Sequence, residues 1–173
     1  MPVFTHDNIE IAFVDEGEGE PIVLVHGFAS TKEVNWVAPG WVTTLTRAGR
    51  RVIALDNRGH GQSSKLYDPA LYSTTLMAGD VRALLDHLGV ARADVMGYSM
   101  GARIAAFLAV DHPGAVRSAI LGGLGIRLVD GVGVAARIAD EIFRAVRLAE
   151  HRISRQHAAR AEKSAPPGLR RDP

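Results

Sequence analysis

Four short apolar runs, each closed by a loop and separated by helix-like stretches, constrain the fold of this chain more than any other feature. Ile22-Val23-Leu24-Val25 is unbroken by polar residues, the pattern of a strand buried on both faces in a parallel sheet. Arg51-Val52-Ile53-Ala54-Leu55-Asp56, Ala93-Asp94-Val95-Met96-Gly97 and Val116 to Leu121 repeat the theme. Between them, residues 34–48 carry Trp36, Trp41, Leu45 and Ala48 in a helix interrupted near Pro39-Gly40. From Thr74 to Leu88, the residues Leu76, Met77, Val81, Leu84, Leu85 and Leu88 lie at helical spacing, and Gly89 stands at the C-cap. Residues 100–110 form the next helix, stopped by His112-Pro113-Gly114. Ahead of all this, Ile9, Ile11 and Phe13 alternate with Glu10 and Ala12 as in a half-buried strand, and a glycine-punctuated turn runs to Pro21. Strands alternating with helices at this pace predict βαβ units. The expected fold is α/β, a mostly parallel sheet with flanking helices.

Beyond Gly133 the residues Val134, Ile138, Ile142, Val146, Ala149 and Ile153 keep helical spacing, and after Ser164 periodicity ends. Three segments follow: a core over residues 1–130, a helix over 131–160 that could open a lid, and a loose basic tail over 161–173. The formal net charge of +1 hides an asymmetry, because residues 144–173 hold eight basic against three acidic side chains. A solvated end accounts for that tail, so no nucleic-acid partner is expected. No apolar run reaches the roughly 18 residues of a membrane span, so no membrane partner is expected either. Met1 to Asp7 lacks the basic segment and apolar stretch of a signal peptide, and the expected compartment is the cytoplasm. The absence of cysteine removes disulfides, thiolate metal sites and a cysteine nucleophile together.

Chemistry concentrates in Gly97-Tyr98-Ser99-Met100-Gly101, between a predicted strand and a predicted helix. A serine hydroxyl is a poor nucleophile unless it is exposed and a base takes its proton. A sharp strand-to-helix turn supplies the exposure, and it needs minimal side chains two residues before and after the serine. The helix that follows points its N-terminal dipole and free N–H groups at the oxyanion formed on attack.

Together with His26-Gly27-Phe28 and Asp56-Asn57-Arg58-Gly59-His60-Gly61-Gln62-Ser63, this motif resembles the three N-terminal signatures of the α/β-hydrolase fold family, in order and spacing. The resemblance covers roughly residues 3–130. The Phe28 and Met100 pairing is similar to the esterases and the cofactor-free haloperoxidase-like members. It implies a serine hydrolase acting on a small ester-like substrate through an acyl-enzyme on Ser99. It also implies an oxyanion hole made by the backbone N–H groups of Phe28 and Met100. His26, Phe28 and Tyr98 would border the substrate pocket, with His26 organising the oxyanion loop and Tyr98 packing under the elbow. Asp56, Arg58 and His60 would form the family's structural turn, while His87 and His112 fall at helix ends.

No cofactor and no metal are expected: no ligand-spaced cluster or H-E-x-x-H occurs, and Gly131 to Ala136 matches the dinucleotide pattern only loosely. The family order places an acid and then a histidine after the serine. Downstream acids are Asp130, Asp140, Glu141 and Glu150, and downstream bases are His151 and His157, the histidines in basic surroundings. None sits in a strand-end loop. The expectation is therefore a chain truncated after its sixth strand, its C-terminal strands missing and its triad incomplete. The alternatives are a piece completed by another chain and a non-catalytic binding module. Truncation would leave the strand at 116–121 as an exposed edge, inviting a homodimer through it.

Overall fold

The computed structural model describes residues 1–124 of the 173-residue chain. The 131–160 helix, the 161–173 tail and the candidates Asp130, Asp140, Glu141, Glu150, His151 and His157 lie outside the described residues. Six strands form one sheet: β1 (Val3–His6), β2 (Ile9–Glu16), β3 (Glu20–Val25), β4 (Arg50–Leu55), β5 (Ala93–Tyr98) and β6 (Val116–Gly122). Their spatial order is β1-β2-β4-β3-β5-β6. The last four in that order run parallel, with Val23 beside Ile53 on one side and Val95 on the other, while β1 and β2 add an antiparallel hairpin.

Helices pack on both faces. α1 (Trp41–Arg47) follows a π-helical turn at Glu33–Val37, and the interruption falls at Gly40, whose φ of 85° only glycine adopts without strain. α2 (Thr74–His87) starts at Ser73, whose side chain accepts the Leu76 N–H. α3 (Met100–Asp111) leaves directly from β5. α2 and α3 bury Val81, Leu84, Leu85, Ile104 and Leu108 against Val23, Ile53 and Val95 in the larger core. Trp36 and Val42 cover Ile22, Leu24, Val52 and Ala54 on the other face. That double burial is why β3 and β4 are continuous apolar runs.

One local expectation needs correcting. Ala12, expected on the outward face of a half-buried strand, is fully buried, because β2 lies beside β4 and the loop after β4 folds over it. Its N–H donates to Ser63 Oγ at 2.9 Å. The strand expected over Val116 to Leu121 is present as β6, with Val116 buried and Arg117 to Ile120 exposed. Among the described residues β6 pairs with β5 alone, and no helix is long and apolar enough to cross a membrane.

Candidate active site

The C-terminal ends of the parallel strands meet in one place, as expected where a parallel sheet presents its loops. Ser99 terminates β5 with φ 53° and ψ −114°, backbone that a residue with a side chain enters only under strain. Three bonds hold it there: its N–H donates to the Gly122 carbonyl at 2.8 Å, and its carbonyl accepts the Ala102 N–H at 3.0 Å and the Arg103 N–H at 3.2 Å. The flanking glycines follow from close approach. A Cβ on Gly97 would collide with the Gly101 carbonyl, and one on Gly101 would collide with the Val25 and His26 carbonyls. The motif thus brings the start of α3 against the end of β3.

Phe28 and Met100 flank Ser99 in a cleft of about 350 Å³, whose wall also includes Thr74, Arg103 and Leu124. Neither the Phe28 nor the Met100 N–H donates to an acceptor among the described residues, and Ser99 Oγ has no hydrogen-bond partner there. Phe28 itself is 75% exposed, its ring edge-on to His60 at 5.9 Å. Tyr98, expected beside the pocket, lies outside the cleft wall with its ring over Gly122 and Gly123.

His26 departs from the pocket expectation. It is fully buried and absent from the cleft wall. Its Nδ1–H donates to the Gly27 carbonyl at 2.7 Å and its Nε2 accepts the Asn57 N–H at 3.0 Å. With both nitrogens engaged it cannot take the Ser99 proton. Burial, partly offset by the bond to Gly27 and reinforced by neighbouring His60, pushes its pKa down to about 4, so it stays neutral. Its work is to fasten the loop after β3 to the loop after β4.

That fastening has further parts the sequence did not disclose. Lys32 is buried, and it donates to Asp56 twice: Nζ to Oδ2 at 2.6 Å and the backbone N–H to Oδ1 at 2.8 Å. The Gln62 N–H adds a third bond at 2.9 Å. Burial alone would raise the Asp56 carboxyl, but the Lys32 ammonium and these N–H donors hold it below its usual range. Asn35 Oδ1 accepts the Gly27 N–H at 2.8 Å, and His60 Nε2 accepts the Ala29 N–H at 3.3 Å. Arg58 makes a two-pronged pair with Asp80 on α2, both bonds 2.7 Å, and His6 Nδ1 lies 2.8 Å from the same carboxylate. A lysine or asparagine in a polar loop carries no one-dimensional mark of burial, so Lys32 and Asn35 emerge only from the fold. Arg58 and Asp56 stood in a recognisable motif, whereas their partners did not.

Comparison with known proteins gives the same picture. The sequence profile of the alpha/beta hydrolase fold matches residues 20–145. The dihydrolipoyllysine-residue acetyltransferase component of the acetoin cleaving system of Cupriavidus necator is 42% identical over 118 residues, 66% of this chain and 29% of that protein. A non-heme chloroperoxidase of Kitasatospora aureofaciens is 33% identical, covering 70% of this chain and 43% of that protein. Among solved structures, an N-acyl homoserine lactone degrading enzyme superposes with a TM-score of 0.65 at 35% identity, covering 81% of this chain and 52% of the other. Epoxide hydrolase A from Mycobacterium thermoresistibile gives a TM-score of 0.61 at 28% identity, covering 68% of this chain and 37% of the other. The chain thus spans less than half the length of the curated relatives it matches here. With its six-stranded sheet, its strand-to-helix serine and the profile match over most of its length, this chain belongs to the α/β-hydrolase fold family, of which it covers the N-terminal part.

Proposed function

We propose that this chain carries the nucleophile half of a serine-hydrolase site that cleaves carboxylic esters or related acyl bonds. The observation that carries the reading is the strained Ser99 backbone, φ 53° and ψ −114°, at the mouth of α3. Strain of this kind costs about 1–3 kcal/mol, and here its consequence is an Oγ held at the cleft rather than in the helix. Attack joins Ser99 Oγ to the acyl carbon while the hydroxyl proton passes to a base. The Phe28 and Met100 N–H groups then receive the oxyanion, an interaction whose loss at one donor typically costs about 100- to 1000-fold. The alcohol leaves with a proton, and water releases the acid from Ser99. Among residues 1–124 no histidine lies within hydrogen-bond reach of Ser99 Oγ. The base would be His151 or His157, with Asp130, Asp140, Glu141 or Glu150 as its acid, or a histidine supplied by a C-terminal part of the fold outside these residues or by a second chain.

The test is intact-protein mass after treatment with a fluorophosphonate, run beside Ser99→Ala. The expected result is one adduct per chain, absent from the variant. A folded chain that takes no adduct means that the elbow stands without its base, which overturns a working serine hydrolase in this chain and leaves a fragment of one or a binding module. An adduct that persists in Ser99→Ala overturns the assignment of Ser99.

A further inference from the structure

Two arginines among the described residues, Arg47 and Arg103, make no guanidinium hydrogen bond there, and of the two Arg103 is the one in the cleft wall. Arg50, Arg51, Arg58, Arg82, Arg92 and Arg117 each hydrogen-bond a carboxylate or carbonyl through the guanidinium. The Arg103 guanidinium has no such partner among the described residues, and it lines the cleft beside Ser99. Its placement follows from helix geometry. Arg103 lies four residues beyond Ser99, and its N–H bonds back to the Ser99 carbonyl at 3.2 Å. The first turn of α3 thus sets Arg103 in the same cleft wall as Ser99.

The rest of the wall divides by chemistry. Phe28, Met100 and Leu124 are apolar, whereas Thr74, at the first turn of α2, adds a hydroxyl. A neutral acyl chain is served by the apolar side and leaves the guanidinium with water alone. A carboxylate gains a forked, charge-assisted pair of bonds from a group whose planar donors match its two oxygens. The positive end of α3 points at the same space and favours the same sign of charge.

We infer that Arg103 is a specificity residue and that the cleft takes substrates bearing a carboxylate close to the acyl group to be cleaved. The substrate class rests on the serine-hydrolase reading, but carboxylate capture does not need a working base, so the two can fail separately.

The probe is monomethyl glutarate, a small ester with one free carboxylate, compared with methyl butyrate, which lacks it. Binding to the whole chain is followed by NMR through the Arg103 side-chain Nε–H and the Met100 and Phe28 amides, at constant ionic strength. Saturable binding of monomethyl glutarate is expected, at least tenfold tighter than methyl butyrate. Arg103→Gln should weaken it about tenfold, the effect of losing a charged hydrogen-bond partner at an open site, and Arg103→Lys should restore part of it. Equal affinity for the two esters, no saturable binding, or an unchanged affinity in Arg103→Gln overturns the inference. A carboxylate that binds through Arg103 in a chain taking no fluorophosphonate adduct sinks the serine reading alone. An adduct with no carboxylate preference sinks this inference alone.

Discussion

The two ends of the parallel sheet are both rich in polar groups, and they use them in opposite ways. At the starting end, Asp94 on β5 gathers Arg50 from β4 at 2.5 Å, Arg117 from β6 at 2.7 and 2.9 Å, and Ser118 at 2.6 Å. Arg117 also pairs with Glu20 at the start of β3. This cluster is open to water: the Arg117 side chain is 36% exposed and that of Glu20 is 69% exposed. At the finishing end, His26, Lys32, Asp56 and Arg58 are buried, and each fastens backbone or a neighbouring element. Among the described residues two serine hydroxyls there have no partner, Ser99 Oγ at the cleft and the buried Ser30 Oγ. Charges at the wet end tie together strand starts that apolar packing already aligns. Charges at the dry end hold loops that have no other reason to keep their shape. The loop that carries Phe28, proposed as an oxyanion donor, therefore depends on side chains outside the cleft wall.

This contrast can be broken by experiment, beginning where the effect is largest. Arg58→Met leaves the Asp80 carboxylate buried with only His6 beside it, and removing one member of a buried pair costs about 3–5 kcal/mol. Chemical denaturation checks this, and a loss below about 1 kcal/mol would mean the dry end is no more dependent on its charges than the wet end. The next effect is on acid stability. His26 has its pKa depressed from 6.5 to about 4, so below pH 6.5 the unfolded chain takes up a proton that the folded chain refuses. Stability is therefore present in full above pH 6.5, falls as pH drops towards 4, and loses roughly 3 kcal/mol in that window. Unfolding curves at pH 7 and pH 4.5 compare wild type with His26→Gln, in which this component of the slope should vanish. The smallest effect belongs to the wet end. Arg117→Gln should cost less than about 1 kcal/mol and the difference should shrink in high salt, as exposed pairs do. A loss of several kcal/mol, insensitive to salt, would erase the distinction.

Much of the frame was legible in one dimension because it rests on pattern. The apolar run at 22–25 has no polar residue to spare for a solvent face, and helices on both faces bear that out. The break at Pro39-Gly40 was visible for the same local reason, since Gly40 needs a positive φ. Ala12 was misread because alternation reports the residue and not its neighbour: a small apolar side chain looks outward until a loop covers it.

The candidate site divides along the same line. The sequence by itself determined the serine elbow, since only glycine at 97 and 101 lets α3 and β3 approach, and it determined which loops would converge on Ser99. Only the tertiary structure decided that His26 is enclosed and neutral, that Lys32 and Asn35 hold the loop after β3, and that Arg103 lines the cleft without a partner among the described residues. The physical reason is that burial and pairing are properties of long-range contacts. His26 meets Asn57 across 31 residues and Lys32 meets Asp56 across 24, separations that no local spacing rule can reach.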